Sequence, residues 1–529
     1  MIKNIIFILL LLSGTAFATD YYVDQGASDE LNDCAGGAGT SYRFTERDCG
    51  GSGGTISWDT ITECEANMAR GDTCVVRNGT YNERVTVNVA ASSTATLTFE
   101  CVSGETCTMG EGASSAGFYI DQPYVIIDGN RTGTDDGFVI TNQPGGTGYH
   151  IGAIRVSATG DNSIIRECVL LNSQRSGVQV EEGGDGTTVQ NNYFYHNAGN
   201  GIDIQADNCD VLNNDIREPT NFNYNQSYDC DCIRVHGSGH LVSENYCYIS
   251  FGTTGVSETG HCDGIQTFVS DGTISAMSNT TVEYNYFYCD EPSGNPPSVT
   301  SQGYATSIRM AENAYNNIIR YNISEGWYRF LASDVGNPAV GVDNLLYVYG
   351  NTAIGHAGLC SEYGRTSCWP IGIQFDAQSD YTNEVFNNII VDFDYRSINY
   401  INGSDVSSGY NITYQTDTDN PVCSGTTNAD CKQTGDQYAT NPLFTNFGAR
   451  NFTLSSSSTA IDNGVTIGTS GNQDDALTSE STWPDSITTD IQGDNGTGWE
   501  IGAYVYGSAG AVLNIPGNLT ISSGSLNIN

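Results

Sequence analysis

A short phrase recurs along the middle of this 529-residue chain: a β-branched residue, two variable residues and then asparagine. Its seven copies end 22 to 40 residues apart, at Asn192, Asn214, Asn245, Asn285, Asn322, Asn351 and Asn388. An irregular repeat of this size is typical of a solenoid whose coils carry insertions of different lengths. Asparagine tolerates left-handed backbone at a corner, and stacked amides can bond along the axis. The phrase therefore predicts coils that stack one asparagine above the next, with Cys168 in the asparagine place of an earlier copy.

A second column of residues keeps step with the first. About twelve residues before each asparagine place stands an apolar–polar–apolar triplet, as in Ile154-Arg155-Val156, Val178-Gln179-Val180, Ile202-Asp203-Ile204, Ile233-Arg234-Val235, Ile265-Gln266-Thr267 and Ile308-Arg309-Met310. In a strand the outer two residues of a triplet share one face, and the middle residue points the other way. Two columns in fixed phase predict an all-β parallel β-helix whose middle residues lie on its outer surface.

The net charge of −42 limits the partners of such a solenoid. This charge repels nucleic acid and anionic membranes, so we expect neither as a partner. A polyanionic substrate would need a bridging cation, although the acidity can also serve solubility alone. Lys3 lies in an apparent leader, which leaves Lys432 as the only lysine of the mature chain. We expect a monomer.

The first 18 residues have the three parts of a secretory signal peptide. Lys3 gives the positive end, residues 5–12 give the apolar core, and Ala16-Phe17-Ala18 gives the cleavage site. The apolar run is short for a membrane span, and no second candidate follows it. We therefore expect cleavage at about Ala18 and export to the extracellular space or the periplasm.

All 17 cysteines follow this leader, which favours disulfides formed in an oxidising compartment. Close neighbours predict the pairs Cys34/Cys49, Cys64/Cys74, Cys101/Cys107, Cys360/Cys368 and Cys423/Cys431. Cys230 and Cys262 occupy equivalent places on adjacent coils, where a disulfide could join them, and zinc at Cys230-x-Cys232 is an alternative. The odd number leaves at least one free thiol, for which Cys168 is the candidate.

The start of the mature chain carries a more specific motif. Residues 60–70 form a short helix candidate, followed by Gly71-Asp72-Thr73-Cys74-Val75-Val76-Arg77-Asn78-Gly79-Thr80-Tyr81. A capping helix before this sequence resembles the opening of right-handed parallel β-helix proteins of the pectate-lyase-like superfamily. Such a cap is physically required, because the first coil would otherwise expose an apolar end and an unpaired strand edge.

Motifs near the other end resemble the closing module of many secreted β-helix proteins. They are Asn441-Pro442-Leu443-Phe444, Asn451-Phe452-Thr453-Leu454, Ala460-Ile461-Asp462-Asn463-Gly464, Asp490-Ile491-Gln492-Gly493 and Trp499-Glu500-Ile501-Gly502-Ala503-Tyr504. The predicted organisation is a signal peptide at 1–18, a strand and capping region at 19–95, the parallel β-helix at 96–440, a C-terminal β cap at 441–507 and a linker or tail at 508–529.

Two adjacent coils carry the richest cluster of ionisable residues. Aligning their triplets sets Asp231 over Asp263 and Asp229 over His261, with a spacing of about 4.8 Å. That spacing suits two carboxylates that share a Ca²⁺ ion or a proton. The predicted calcium ligands are Asp203, Asp229, Asp231 and Asp263.

Groups that could bind a substrate stand close to this cluster. They are Gln266 in the outward column, His240 after an earlier triplet, and Tyr224 and Tyr228 in a long insertion, where their rings can stack on sugars. Each has a structural alternative, since a histidine can be a satisfied core residue and tyrosines can pack their own loop. The two stacked aspartates face inward if the strands reach them, or cap a turn if Gly264 marks a bend.

The resemblance implies a polysaccharide lyase as the first hypothesis. β-Elimination needs the charge of a uronate neutralised, often by Ca²⁺, and a base that takes the C5 proton. Because lysine is nearly absent, Arg234 or Arg309 would have to be that base, which is demanding for a guanidinium group.

Two other classes of function remain open. A glycoside hydrolase on the same fold would use Asp231, Asp263 or Asp203 as acid and base, and His261 is a further catalytic candidate. A non-catalytic carbohydrate-binding or surface β-helix is the third class, because a fold does not fix a function. Among these we expect a secreted, calcium-dependent lyase that acts on an acidic polysaccharide.

Overall fold

The computed structural model describes residues 18–25, 34–36, 40–110, 117–133, 135–141, 152–173, 175–197, 199–218, 231–250, 262–268, 275–290, 305–311, 314–334, 346–355, 370–376, 382–393, 396–401, 405–415, 422–424, 434–467 and 475–507. The chain forms two compact units, Met1–Asp210 and Val211–Asn529. Each unit is a stretch of right-handed parallel β-helix, in which every coil contributes one short strand to each of three sheets. The predicted fold class is therefore confirmed.

In each unit we call the sheet that contains the triplets the first sheet. The second sheet contains the β-branched residues of the asparagine phrase, and the third sheet contains the strands that follow the asparagines. Strands within a sheet run parallel, with the exception of Cys34–Ala35 against Ile56–Trp58.

The first unit has the following strands and one helix. Its first sheet contains Val85–Val87, Phe118–Ile120, Gly152–Val156, Ser176–Val180 and Ile202–Ile204. Its second sheet contains Cys34–Ala35, Ile56–Trp58, Asp20–Val23, Thr73–Val76, Leu97–Cys101, Val125–Asp128, Ile164–Arg166 and Thr188–Gln190. Its third sheet contains Gly79–Thr80, Thr106–Met109, Gly137–Thr141, Val169–Leu171 and Tyr193–Tyr195. A separate antiparallel pair is Ser41–Arg43 with Asp48–Gly51, the helix is Ile61–Asn67, and the strand Asp210–Leu212 straddles the end of this unit in sequence.

The second unit continues the same order of strands. Its first sheet contains Ile233–Val235, Ile265–Thr267, Thr306–Ala311, Arg329–Asp334, Ile371–Asp376, Arg396–Ile401 and Val422–Ser424. Its second sheet contains Leu241–Ser243, Thr281–Glu283, Asn317–Arg320, Leu346–Tyr349, Thr382–Phe386 and Asp405–Gly409. Its third sheet contains Asp215–Arg217, Tyr246–Ser250, Tyr286–Asp290, Ile323–Glu325, Thr352–Ile354, Ile389–Val391, Ile412–Tyr414 and Gln437–Tyr438. Beyond the coils lie the antiparallel pairs Phe444–Asn446 with Asn451–Leu454 and Asp475–Leu477 with Thr489–Ile491, and the 3₁₀ turns Phe447–Ala449 and Gln492–Asp494.

The asparagine column is a continuous ladder of buried hydrogen bonds in the second unit. From Asn214 to Asn388, each backbone N–H donates to the side-chain oxygen of the next ladder asparagine at 2.9–3.1 Å. Each side-chain NH₂ donates to that same oxygen at 2.9–3.0 Å. The ladder runs two steps further than the phrase predicts, to Asn411 and then to Asp436, whose carboxylate accepts from the N–H of Asn411 at 2.8 Å. In the first unit, Asn192 accepts from the N–H of Cys168 at 3.0 Å, as the phrase predicts.

The left-handed backbone at this corner belongs to the residue before each asparagine and not to the asparagine itself. Positive φ values occur at Asn191, Asn213, Glu244, Tyr284, Tyr321, Gly350, Asn387 and Tyr410. The expectation that the ladder asparagine adopts this conformation is therefore wrong. The asparagine buries its amide inside the coil, and the preceding residue makes the sharp turn.

The N-terminal helix is shorter than predicted. It spans Ile61–Asn67, because Thr60 caps its first turn by accepting the N–H of Glu63 and Met68 returns to extended backbone. The predicted disulfides Cys34–Cys49, Cys64–Cys74 and Cys101–Cys107 are all formed, and the second of them ties the helix to the strand Thr73–Val76. Cys168 is a buried free thiol, as predicted. Within the described ranges, no helix has the length and apolar character needed to cross a membrane.

The C-terminal module packs along the side of the coils within the second unit. Its apolar residues, which include Phe452, Leu454, Trp499 and Ile501, join one buried cluster with residues of the coils. Its hydrogen bonds reach four successive coils, through Trp483 to Tyr284, Gln492 to Tyr321, Ala503 to Thr352 and Gly502 to Asn387. The predicted cap therefore also acts as a lateral clamp over several coils.

Candidate functional site

Three predicted site residues form a column on the first sheet of the second unit. Arg234 pairs in register with Gln266, and Gln266 pairs with Arg309. Residues in register on neighbouring strands are about 4.8 Å apart, so the three side chains stand side by side. The Arg234 side chain is 19% exposed, Arg309 is half-buried and Gln266 is nearly buried. The expected alignment of two guanidinium groups around an amide on one wall is therefore present.

Two buried aspartates anchor this column. One oxygen of Asp231 accepts from Arg234 Nη2 at 2.7 Å and from its Nε at 3.1 Å, and Arg234 Nη2 also reaches Gln266 Oε1 at 3.2 Å. The other oxygen of Asp231 accepts the backbone N–H of Asp263 at 3.1 Å. Asp263 in turn accepts the N–H of Thr306 at 2.9 Å and Gln266 Nε2 at 3.3 Å. These carboxylates form a second ladder, which fixes the start of each triplet strand.

Burial decides what the two carboxylates can reach. Both Asp231 and Asp263 have no solvent exposure. The strands Ile233–Val235 and Ile265–Thr267 begin after the two aspartates, and Gly264 is a bend, so the alternative in which each aspartate caps a turn fits the structure. A buried carboxylate with a guanidinium partner and amide donors is electrostatically satisfied. In this arrangement the carboxylates hold the column from beneath and neither reaches solvent, and their catalytic roles stay predictions.

The same contacts test the fit of a calcium ion between these residues. Ca²⁺ needs six to eight oxygen ligands with lone pairs directed at it. The oxygens of Asp231 and Asp263 already accept hydrogen bonds, and the positive Arg234 lies against Asp231. The two residues therefore do not fit a calcium site. In the described parts of the chain, no group of three or more His, Cys, Asp or Glu residues is arranged so that it could hold a metal ion. Calcium dependence stays a prediction, and Asp229 and His261 lie outside the described residues.

A disulfide that the sequence analysis missed braces this site. Cys232, next to Asp231, is bonded to Cys247 of the third sheet within the same coil. The zinc alternative at Cys230-x-Cys232 is therefore wrong, because a disulfide sulfur is not a thiolate ligand. Cys262 is also disulfide-bonded, and Cys230, the partner predicted for it, lies outside the described residues.

A histidine that the sequence analysis overlooked lies beside Arg234. His236 follows Arg234 by two residues, so strand alternation puts both on the same face. His236 Nδ1 lies 2.9 Å from the carbonyl oxygen of Phe268. A carbonyl only accepts, so Nδ1 carries the hydrogen and Nε2 keeps its lone pair. Burial, and then the positive charge of Arg234, lowers the pKa of His236 to about 4, so its imidazole is neutral at pH 7.

The other predicted site residues are either buried or outside the described parts of the chain. His240 is buried, and its Nε2 lies 2.9 Å from the carbonyl oxygen of His236, which fits the structural alternative. Asp203 belongs to the first unit, where it is nearly buried and accepts from Gln205 at 3.1 Å. Tyr224 and Tyr228 lie outside the described residues. Substrate binding by His240 and the tyrosines, and calcium binding by Asp203, stay predictions.

Comparisons with known proteins give remote structural similarities and no family for this chain. No protein-family model matches it, and no curated protein matches it. Among solved structures, it is similar to the pectate lyase Pel9A, with 14% identity, 93% of this chain and 97% of that chain covered, and a TM-score of 0.45. It is also similar to PfbA, a surface adhesin of Streptococcus pneumoniae, with 13% identity, coverage of 67% and 87%, and a TM-score of 0.39. A third is the PL6 family alginate lyase AlyGC, with 14% identity, coverage of 75% and 55%, and a TM-score of 0.38. The chain's own strand topology makes it a right-handed parallel β-helix protein, as the resemblance in its sequence implied.

Proposed function

We propose that this protein is a secreted lyase that cleaves a uronate-containing polysaccharide by β-elimination. The observation that carries the proposal is the outward column of Arg234, Gln266 and Arg309 on adjacent coils of the second unit. A chain with a net charge of −42 repels a polyanion over most of its surface. Guanidinium groups aligned on one wall therefore give the substrate carboxylates a local place to bind. Disulfides in both units support export to an oxidising compartment.

Arg234 suits the binding of a uronate carboxylate better than the acceptance of a proton. Its ion pair with the buried Asp231 stabilises the charged guanidinium and holds its orientation. Because its Nε and Nη2 are already bonded to Asp231 and Gln266, Arg234 offers the substrate carboxylate a fixed positive charge. Neutralising that carboxylate makes the neighbouring C5 proton more acidic, which is the first requirement of β-elimination. In this role Asp231 is a positioning residue.

Two residues are candidates for the base that takes the C5 proton. Arg309 is the candidate from the sequence, and it lies two coils from Arg234 in the same column. His236 is the candidate from the structure, because it is neutral and its Nε2 lone pair is not used by the Phe268 contact. A neutral imidazole has a lone pair that accepts a proton at pH 7, whereas a guanidinium has none, which favours His236. Exposure favours Arg309, because Arg309 is half-buried and His236 is only 2% exposed.

The buried aspartates favour a lyase over a hydrolase. An inverting or retaining hydrolase needs two carboxyl groups that reach the glycosidic bond from the surface. Asp231 and Asp263 have no exposure and already hold Arg234, Gln266 and backbone N–H groups.

A bound calcium ion would neutralise further negative charge on the uronate. Comparing the activity with added Ca²⁺ and with a chelator tests whether cleavage depends on calcium.

Replacing Arg234 by alanine is expected to lower kcat/KM on the cleaved polyuronate by about 100-fold or more, the usual effect of losing one charged group that contacts the reacting part of a substrate. Polygalacturonate and alginate are the substrates, and the absorbance of unsaturated product ends is the measure. Arg217→Ala is the matched control, because Arg217 is a partly exposed, ion-paired arginine on the third sheet. If Arg234→Ala and wild type are equally active, the column of Arg234, Gln266 and Arg309 has no part in cleavage. If the wild type is inactive on every glycan, the non-catalytic class of function is favoured.

The pH dependence of kcat separates the two candidate bases. If His236 is the base, activity holds steady near neutral pH and falls as the pH drops through about 4, where the imidazole gains a proton. The sign follows because only the neutral imidazole accepts a proton. If Arg309 is the base, activity instead keeps rising into strongly alkaline solution. Steady-state rates from pH 3 to 10, with His236→Gln alongside, decide between them.

A further inference from the structure

A groove on a different face of the second unit has the features of a sugar site. It lies between the third sheet and the C-terminal module, and it consists of two cavities of about 350 and 270 Å³. Phe447 lines both cavities and so stands at their junction. Asp290, Glu325 and Asp392 line the larger cavity, and Tyr414 and Asn441 line the smaller one.

The module presents two large apolar side chains at this groove. Phe447 is 42% exposed and Leu443 is 37% exposed, whereas most apolar residues of the module are buried, with Ile491 as a further exposed residue outside the groove lining. The Phe447 ring stacks on Phe444 with a centroid distance of 6.0 Å, which fixes its outer face. Leu443 has a φ of 54°, a left-handed conformation that is unfavourable for a residue with a Cβ atom. The structure therefore holds a strained, exposed leucine and a rigid, exposed ring at the same place.

The charge of the groove selects its ligand. Its larger cavity contains three carboxylates, and the nearby Arg450 is already ion-paired with Glu325 at 2.7 Å. Arg450 also donates to Tyr286 at 2.8 Å and lies over the ring of Tyr288. A polyuronate would be repelled here, whereas carboxylates are good acceptors for the hydroxyl groups of uncharged sugars.

The length of the groove fits a short stretch of a linear chain. Its lining comes from five successive strands of the third sheet, from Tyr286–Asp290 to Ile412–Tyr414. Four steps between strands span about 19 Å, roughly the length of four pyranose residues. We propose that this groove binds an uncharged linear glycan, with one sugar ring stacked on Phe447. This site is separate from the first-sheet column and does not depend on the proposed lyase activity.

Affinity electrophoresis tests this binding directly. Native gels contain xyloglucan, galactomannan, mixed-linkage β-glucan or soluble starch, with a plain gel and a polygalacturonate gel for comparison. We expect at least one neutral polysaccharide to retard the wild-type protein, and Phe447→Ala to weaken that retardation at least tenfold. Phe44→Ala is the matched control, because Phe44 is 43% exposed and belongs to the first unit. Asp290→Asn keeps the shape of the cavity and is expected to weaken binding as well.

The outcomes separate this site from the proposed lyase. Retardation that Phe447→Ala reduces and Arg234→Ala leaves unchanged supports the groove, whether or not the protein cleaves anything. Retardation that Phe447→Ala and Phe44→Ala leave equal would overturn it. The proposed groove is also wrong if none of the neutral polysaccharides retards the wild-type protein, or if only polygalacturonate does.

Discussion

Replacing Asn285 by alanine is expected to lower the free energy of unfolding by about 3–5 kcal/mol, because several buried polar groups lose their partners at once. The Asn285 amide donates to the carbonyl oxygens of Val242 and Glu283 at 2.9 Å, and to Asn322 at 3.0 Å. Its oxygen accepts the backbone N–H and the side-chain NH₂ of Asn245, both at 2.9 Å. Urea unfolding followed by circular dichroism measures the loss.

Two further variants show that the loss comes from the ladder. Asn463→Ala removes an exposed asparagine that bonds only locally, to Ile461, and is expected to change stability by less than about 0.5 kcal/mol. Asn285→Asp keeps the acceptor but cannot donate, so it is expected to destabilise the protein as strongly as alanine. Asp436 is accommodated because it ends the ladder, where it accepts from Asn411. If Asn285→Ala and Asn463→Ala unfold at the same urea concentration, the ladder does not stabilise the coils.

Replacing Glu500 by glutamine is expected to remove a pH dependence of stability between pH 4.5 and 8. Glu500 is fully buried, and neither carboxylate oxygen has a hydrogen-bond partner of ordinary geometry. Burial raises the pKa of Glu500 from 4.5 to about 8, and the N–H groups of Glu500 and Tyr506 oppose this only weakly. The folded protein therefore binds a proton that the unfolded chain releases. Its stabilising effect is complete below pH 4.5 and is lost as the pH rises to about 8.

The size of this effect follows from the pKa change. A shift of this extent corresponds to roughly 4–5 kcal/mol when the proton is fully lost. Glutamine has the shape of the protonated acid and no charge, so Glu500→Gln should be more stable than wild type at pH 8 and equal to it at pH 4.5. Glu480→Gln is the control, since Glu480 is exposed in the same module. Thermal unfolding across this pH range gives the comparison, and equal slopes for wild type and Glu500→Gln would contradict the expectation.

The fold could be predicted from the sequence because every coil of a solenoid needs the same pattern of buried apolar and hydrogen-bonding residues. Each of the seven asparagines from Asn192 to Asn388 follows a buried β-branched residue at a fixed distance, and insertions between the copies leave this phrase intact. The end of the ladder escaped prediction because Asn411 follows Ser408 at that distance, and because Asp436 is a carboxylate. The left-handed residue before each asparagine varies among Glu, Tyr, Asn and Gly, so no residue type marks it.

The candidate site was readable only in part. Strand alternation predicts the column of Arg234, Gln266 and Arg309, because register follows from the triplets. The same alternation, extended by two residues, would have found His236. The burial of Asp231 and Asp263 depends on donors such as the N–H of Thr306, 43 residues away from Asp263, and no local pattern encodes them. The Cys232–Cys247 disulfide was missed because it joins two sheets of one coil across the intervening ladder.

Mass spectrometry of the products is the most direct measurement of what the Arg234 wall does. Purified wild-type protein is incubated with polygalacturonate and with alginate, and the masses of the released oligosaccharides are read. β-Elimination gives products that each carry one unsaturated end and are lighter by one water than hydrolytic fragments of equal length, and Arg234→Ala should release at least 100-fold less of them. Saturated fragments of full hydrolytic mass, or unsaturated products in equal yield from Arg234→Ala, would contradict the proposed lyase.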